Sequence, residues 1–105
     1  MIESLNDVAP DLGRYIVEFT FGDVYSRPGL DLRQRQLVTL GGLIAFGDTA
    51  PVQRVHFNAA LRMGLSPRQV IETVIQAVPY AGFPRALNAV GVVREVFEEH
   101  GIATA

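Results

Sequence analysis

Apolar residues recur at helical spacing in five successive segments of this chain, and glycine or proline closes each of them. No segment alternates apolar and polar residues long enough to read as a strand. This constrains the chain to an all-α fold, a helical bundle of about five helices joined by short turns, in one domain over residues 1–105. The sharpest boundary is Ser66-Pro67-Arg68-Gln69, with serine as N-cap, proline at the first helical position and glutamine as capping-box partner. Gly64-Leu65 and Gly101-Ile102 repeat one ending, a left-handed glycine followed by an apolar residue.

In chain order, Asn6 or Asp7 caps a first helix through Leu12, Tyr15, Ile16, Phe19 and Val24, with a weak point at Gly22. Pro28-Gly29 ends it, and Met1 to Leu5 read as loose. Asp31 caps the second helix with Gln34 as its partner, and Leu37, Leu40, Gly41, Leu43 and Ile44 form the inner stripe up to Gly47. Gly41-Gly42 costs about 1 kcal/mol per glycine in mid-helix. A close helix–helix approach accounts for it, with room for a ligand as the alternative. The third helix starts at Asp48-Thr49-Ala50-Pro51 and carries Val52, Val55, Ala59, Ala60 and Met63 on one face. In the fourth, Val70, Ile71, Val74, Ile75 and Val78 point inward until Pro79 interrupts the pattern, and Tyr80 to Pro84 form a turn. The last helix runs from Pro84 to His100, with Leu87, Val90, Val93, Val96 and Phe97 facing inward.

Composition removes several chemistries. There is no cysteine, so no disulfide, thiolate ligand or thiol redox cycle is available. All nine basic residues are arginine, which leaves no Schiff-base lysine and makes anion recognition a task for guanidinium groups. A net charge of −2 points to neither nucleic acid nor an anionic membrane. The acidic N-terminal MIESLNDVAPD lacks a secretory pattern. The most apolar run, Leu37 to Gly47, is far shorter than the roughly 20 residues of a membrane helix. A soluble, cytoplasmic protein is expected. At 49% hydrophobic residues, so short a chain is expected to bury part of its apolar surface between subunits.

His56 stands inside the third helix's apolar stripe, one turn from Val52 and one from Ala60. It is either a core histidine satisfied by a neighbour or the reactive group of a pocket. The other histidine, His100, closes the last helix beside Glu98 and Glu99, where a cation suits the helix dipole. The two make no metal-ligand spacing, the serines lie in no nucleophile elbow, and no phosphate-binding glycine loop occurs. No cofactor or metal is implied. The remaining candidates are His56, Arg27, Arg33, Arg35, Arg54, Arg62 and Arg85, and the tyrosines Tyr25 and Tyr80. Gln69, Glu72 and Gln76 share a polar stripe of the fourth helix, read as an exposed face or a subunit contact.

Several pieces then fall into a known order: Ser26-Arg27-Pro28-Gly29-Leu30, Arg35 before Leu37-Val38-Thr39-Leu40, His56 before Ala59-Ala60-Leu61 and Gly64, and Tyr80-Ala81-Gly82 with Pro84. Over residues 15–100 the chain resembles the carboxymuconolactone decarboxylase family. The resemblance implies an alkylhydroperoxidase D-like fold and a homo-oligomer, a trimer or a hexamer. It implies cofactor-free conversion of 4-carboxymuconolactone to 3-oxoadipate enol-lactone and CO2. The superfamily's peroxidase branch needs a Cys-x-x-Cys pair in the region where this chain reads Asp48-Thr49-Ala50-Pro51-Val52, so that route is closed. By the resemblance His56 is the catalytic proton-transfer group. Arg35 and Arg27 bind substrate carboxylates, and Tyr25 or Tyr80 donates to the oxyanion. Gln76 stands where close decarboxylases can carry a histidine, and Phe21 and Tyr25 where they tend to carry tryptophan. A related enzyme of another pathway, or a non-catalytic oligomeric binding protein, is the alternative.

Overall fold

The computed structural model describes residues 2–103, which divide into two units, one up to Leu32 and one from Arg33. Among the described residues every regular element is helical. Met1 lies outside them, and Ile2–Leu5, expected to be loose, form a short 3-10 turn.

In the first unit, α1 (Pro10–Tyr15) starts at proline, not at a polar cap. Neither Asn6 nor Asp7 caps it: Ala9 holds the N-cap position with no side-chain bond. Pro10 accounts for the difference. Its ring presets the helical φ, it has no N–H to satisfy, and it pushes Ala9 out of the helical region. The helix continues without a break as a π-helical segment, Ile16–Val24, which runs through Gly22. Its wide turn is visible in the amide of Tyr25, which donates to the Thr20 carbonyl at 2.9 Å. Leu12, Tyr15 and Phe19, the expected inner stripe, are each at least half exposed.

The second unit holds α2 (Leu32–Phe46) from Arg33 onward, α3 (Ala50–Arg62), α4 (Pro67–Ala81) and α5 (Phe83–Glu99). α5 packs along both α3 and α4. Phe57 of α3 and Leu40 and Ile44 of α2 are fully buried, each contributing about 1.5–3 kcal/mol of transfer free energy. The buried face of α3 is Gln53, Phe57 and Ala60, rotated from the expected stripe, and Val55 is partly exposed. Phe57 sets that rotation, because it is the bulkiest apolar group on the helix. The inner faces of α4 and α5 also differ from the expected ones. Val70, Val74 and Ala77 are inside while Ile71 and Ile75 face out, and Ala86, Ala89, Val93 and Val96 are inside while Leu87 and Val90 face out.

The ends of the elements follow local chemistry. Ser66 Oγ accepts from the Gln69 amide at 3.1 Å and Gln69 Oε1 from the Ser66 amide at 2.8 Å, a complete capping box. The Leu65 amide reaches back to the Ala60 carbonyl and the Ile102 amide to the Phe97 carbonyl, the two expected glycine-plus-apolar endings. Pro79 does not stop α4, which runs on to Ala81. The carbonyl that loses its donor belongs to Ile75 on the exposed side, where water can satisfy it. A Cβ added to Gly41 or Gly42 would meet nothing within 4 Å, so no close helix approach among the described residues requires them.

Candidate functional site

The reversal between α2 and α3 brings His56 opposite the first turns of α2. Gly47 ends α2 with φ 74°, a backbone that favours glycine, and a Cβ there would lie 2.9 Å from Arg85 Nε and require that side chain to shift. Thr49 Oγ1 then donates to the Leu43 carbonyl at 2.6 Å and accepts from Gln53 Nε2 at 3.0 Å, tying the start of α3 to the end of α2.

Twenty residues apart in sequence, Gln36 and His56 meet side by side. Gln36 is fully buried at the head of the stripe that continues through Leu40 and Ile44. Its Nε2 lies 3.0 Å from His56 Nδ1 and donates to the His56 carbonyl at 2.8 Å. His56 itself is half-buried, and loss of solvent around the ring pulls its pKa below the ordinary value. Of the two sequence readings, the structure shows the satisfied neighbour: Gln36 lies against one ring nitrogen, while the ring stays half-exposed.

The other candidates separate by role. Arg35 precedes Gln36 on α2 and is half-buried, with its Nε out of solvent. Arg33 Nε donates to the Met63 carbonyl at 2.8 Å and closes the end of α3. Arg54 pairs with Glu95 at 2.7 Å and with Glu99, an exposed link from α3 to α5. Those two arginines have structural work. His100 Nε2 donates to Asn58 Oδ1 at 2.6 Å, a second tie between α5 and α3. In the first unit, Tyr25 is half-buried with its ring edge-on to Phe21 at 5.1 Å, and Arg27 is exposed.

Tyr80 is exposed and lines a groove of about 600 Å³ between α2 and α4. Leu37, Gly41 and Ala45 form its α2 wall, and Gln69, Glu72, Gln76 and Tyr80 stand on the α4 side. The polar stripe of α4 thus faces this groove, and Gly41 widens it. His56 is not among its lining residues. Among the described residues no group of three or more His, Asp or Glu side chains is placed to hold a metal, and no helix is long and apolar enough to cross a membrane.

Sequence reasoning missed Gln36. The available signal was its register: a polar residue four and eight positions before two core residues of one helix has to find a partner inside.

Known proteins share this pattern over most of its length. The model of the carboxymuconolactone decarboxylase family matches residues 10–95. The chain is 36% identical over 102 residues to a 4-carboxymuconolactone decarboxylase of Acinetobacter baylyi, an overlap of 97% of this chain and 75% of that protein. It is 28% identical over 99 residues to an uncharacterised 15.0 kDa protein of Paracoccus denitrificans, covering 93% of this chain and 74% of the relative. It is 34% identical over 85 residues to a nitrosuccinic acid decarboxylase of Metarhizium robertsii, covering 80% of this chain and 58% of that enzyme.

Proposed function

Since the chain belongs to the carboxymuconolactone decarboxylase family, we propose that it is a cofactor-independent carboxy-lyase that converts 4-carboxymuconolactone to 3-oxoadipate enol-lactone and CO2. The observation that carries the substrate is the identity to the Acinetobacter enzyme across nearly the whole chain.

The reaction's own chemistry sets the demands. The departing carboxylate is vinylogous to the lactone carbonyl. When its C–C bond breaks, the electron pair enters the ring and the charge appears on the lactone carbonyl oxygen as a furanolate. One proton then adds to ring carbon, so dianion plus proton gives monoanion plus CO2. The substrate is its own electron sink. The protein has to bind carboxylates, place a donor near the developing oxyanion and present a proton.

We assign His56 to the proton transfer because it is a half-buried titratable ring held beside a buried polar partner. What it gives up is replaced from water. Arg35 is assigned to a substrate carboxylate, since a guanidinium fork matches that geometry and its Nε is already out of solvent. Arg27, Tyr25 and Tyr80 are assigned through the family pattern alone. We further assign the working form to a homo-oligomer, a trimer or hexamer, in the cytoplasm. Support for the assembly comes from exposed apolar groups on several elements, Phe19 at 63%, Val38 at 69%, Phe46 at 81% and Leu87 at 67% exposure.

A second reading is favoured by the similarity to a nitrosuccinic acid decarboxylase. There too the electron pair left by CO2 has an acceptor within the substrate, a nitro group in place of a lactone carbonyl. The test is to incubate purified protein with 4-carboxymuconolactone and follow its ultraviolet absorbance and CO2 release, with nitrosuccinate in parallel. One CO2 per lactone consumed supports the first reading. No change at high enzyme concentration removes that substrate, and turnover of nitrosuccinate alone selects the second.

A further inference from the structure

We propose that Gln36 is a positioning residue that holds His56 as a neutral imidazole with its proton on Nε2, so that the ring meets substrate as an N–H donor at that nitrogen. The catalytic consequence rests on the decarboxylase reading; the tautomer rests on geometry alone.

One group in the cluster has a fixed polarity. A backbone carbonyl only accepts, and the His56 carbonyl lies 2.8 Å from the terminal nitrogen of Gln36. The reverse amide orientation would set oxygen against oxygen at that distance, so Gln36 presents its NH2 here. One of the two hydrogens serves the carbonyl, and the other faces His56 Nδ1 at 3.0 Å. Nδ1 must then carry a lone pair, and the proton sits on Nε2. The opposite tautomer would place N–H against N–H, as would the imidazolium. Gln36 is fully buried, so bulk solvent does not reach its amide to replace the lost bond. Burial of the ring acts in the same direction. Because the second bond goes to the backbone of His56 itself, the amide follows the residue that it orients.

The arrangement suits a reaction that builds negative charge on the substrate. A ring nitrogen with a free lone pair would repel a furanolate, whereas an N–H stabilises it. It also makes glutamine and glutamate opposites at this position. A carboxylate only accepts, so it would call for a proton on Nδ1.

The test is the imidazole nitrogen–proton correlation spectrum of 15N-labelled protein at mildly alkaline pH, with His100→Gln to assign the two rings. The expected wild-type spectrum shows His56 protonated at Nε2 only. Gln36→Glu is expected to move the proton to Nδ1 or to protonate both nitrogens, and Gln36→Met, which keeps the volume, to give a mixture of tautomers. With 4-carboxymuconolactone, both variants should lose about tenfold or more in kcat with little change in KM. A wild-type ring protonated at Nδ1 would overturn the proposal. So would a Gln36→Met protein that keeps both the Nε2–H signature and wild-type kcat. The wild-type spectrum needs no substitution, so a variant that fails to fold does not shield the proposal. A wild type with the expected tautomer but no turnover supports the clamp and overturns the decarboxylase reading.

Discussion

At His56, burial gives a pH dependence whose sign can be stated. In the unfolded chain the imidazole titrates near its ordinary value of about 6.5, and in the folded protein it takes its proton only at lower pH. As pH falls through the window between those values, the unfolded chain binds more protons and the folded state loses stability. The urea midpoint of the wild type should therefore drop more than that of His56→Asn between about pH 7.5 and about pH 5. Equal drops would show that the ring is not held neutral. The histidine was legible in the sequence because a titratable residue in an apolar stripe is conspicuous. Its partner was not: Gln36 looks like any polar residue near a helix start, and its burial depends on how α2 is rotated against α3. Arg33 and Arg54 show the same limit. An arginine's residue type does not reveal whether it binds substrate, closes a helix as at the Met63 carbonyl, or bridges helices as at Glu95.

Among the helix ends, the Ser66 capping box and the two glycine endings were legible from local sequence, whereas the start of α1, set by Pro10 and not by Asn6 or Asp7, was not. Ser66→Ala removes one half of the capping box and should cost about 1 kcal/mol in chemical denaturation, without affecting turnover. Gly64→Ala should cost about 1–2 kcal/mol for its left-handed backbone, with the Arg33 guanidinium, 2.8 Å from the added Cβ, shifting to make room. A Gly64→Ala protein as stable as the wild type would contradict the described ending of α3. Local reasoning failed where a neighbouring element decides. Pro79 reads as a breaker, but the carbonyl it deprives is on the exposed side, so α4 continues. Gly41-Gly42 reads as a tight crossing, but the space beside it is open and Gly41 walls a groove. The inner faces of α4 and α5 were half right. Both helices are apolar on more than one side, and periodicity alone cannot rank the sides.

On the scale of the whole molecule, that surplus of apolar surface is the main unresolved demand of the sequence. Phe46, Leu87 and Val38 are each about two-thirds exposed or more, and the first helical unit exposes Leu12, Phe19 and Phe21. Self-association is the proposed outcome. Light scattering should give a mass several times the 11.5 kDa of one chain, and that mass should persist in high salt because the contacts are apolar. A mass of 11.5 kDa at working concentration would contradict the oligomer. Composition had already closed the thiol route, and family membership supplies the decarboxylase chemistry that no single residue pattern here would establish. The central claim is that this chain decarboxylates a carboxylated lactone through His56, and kcat/KM for 4-carboxymuconolactone in wild type and His56→Ala tests it most directly. The account predicts turnover by the wild type and a loss of about 100-fold or more in the variant, with its helical content intact. A His56→Ala protein as active as the wild type would contradict it.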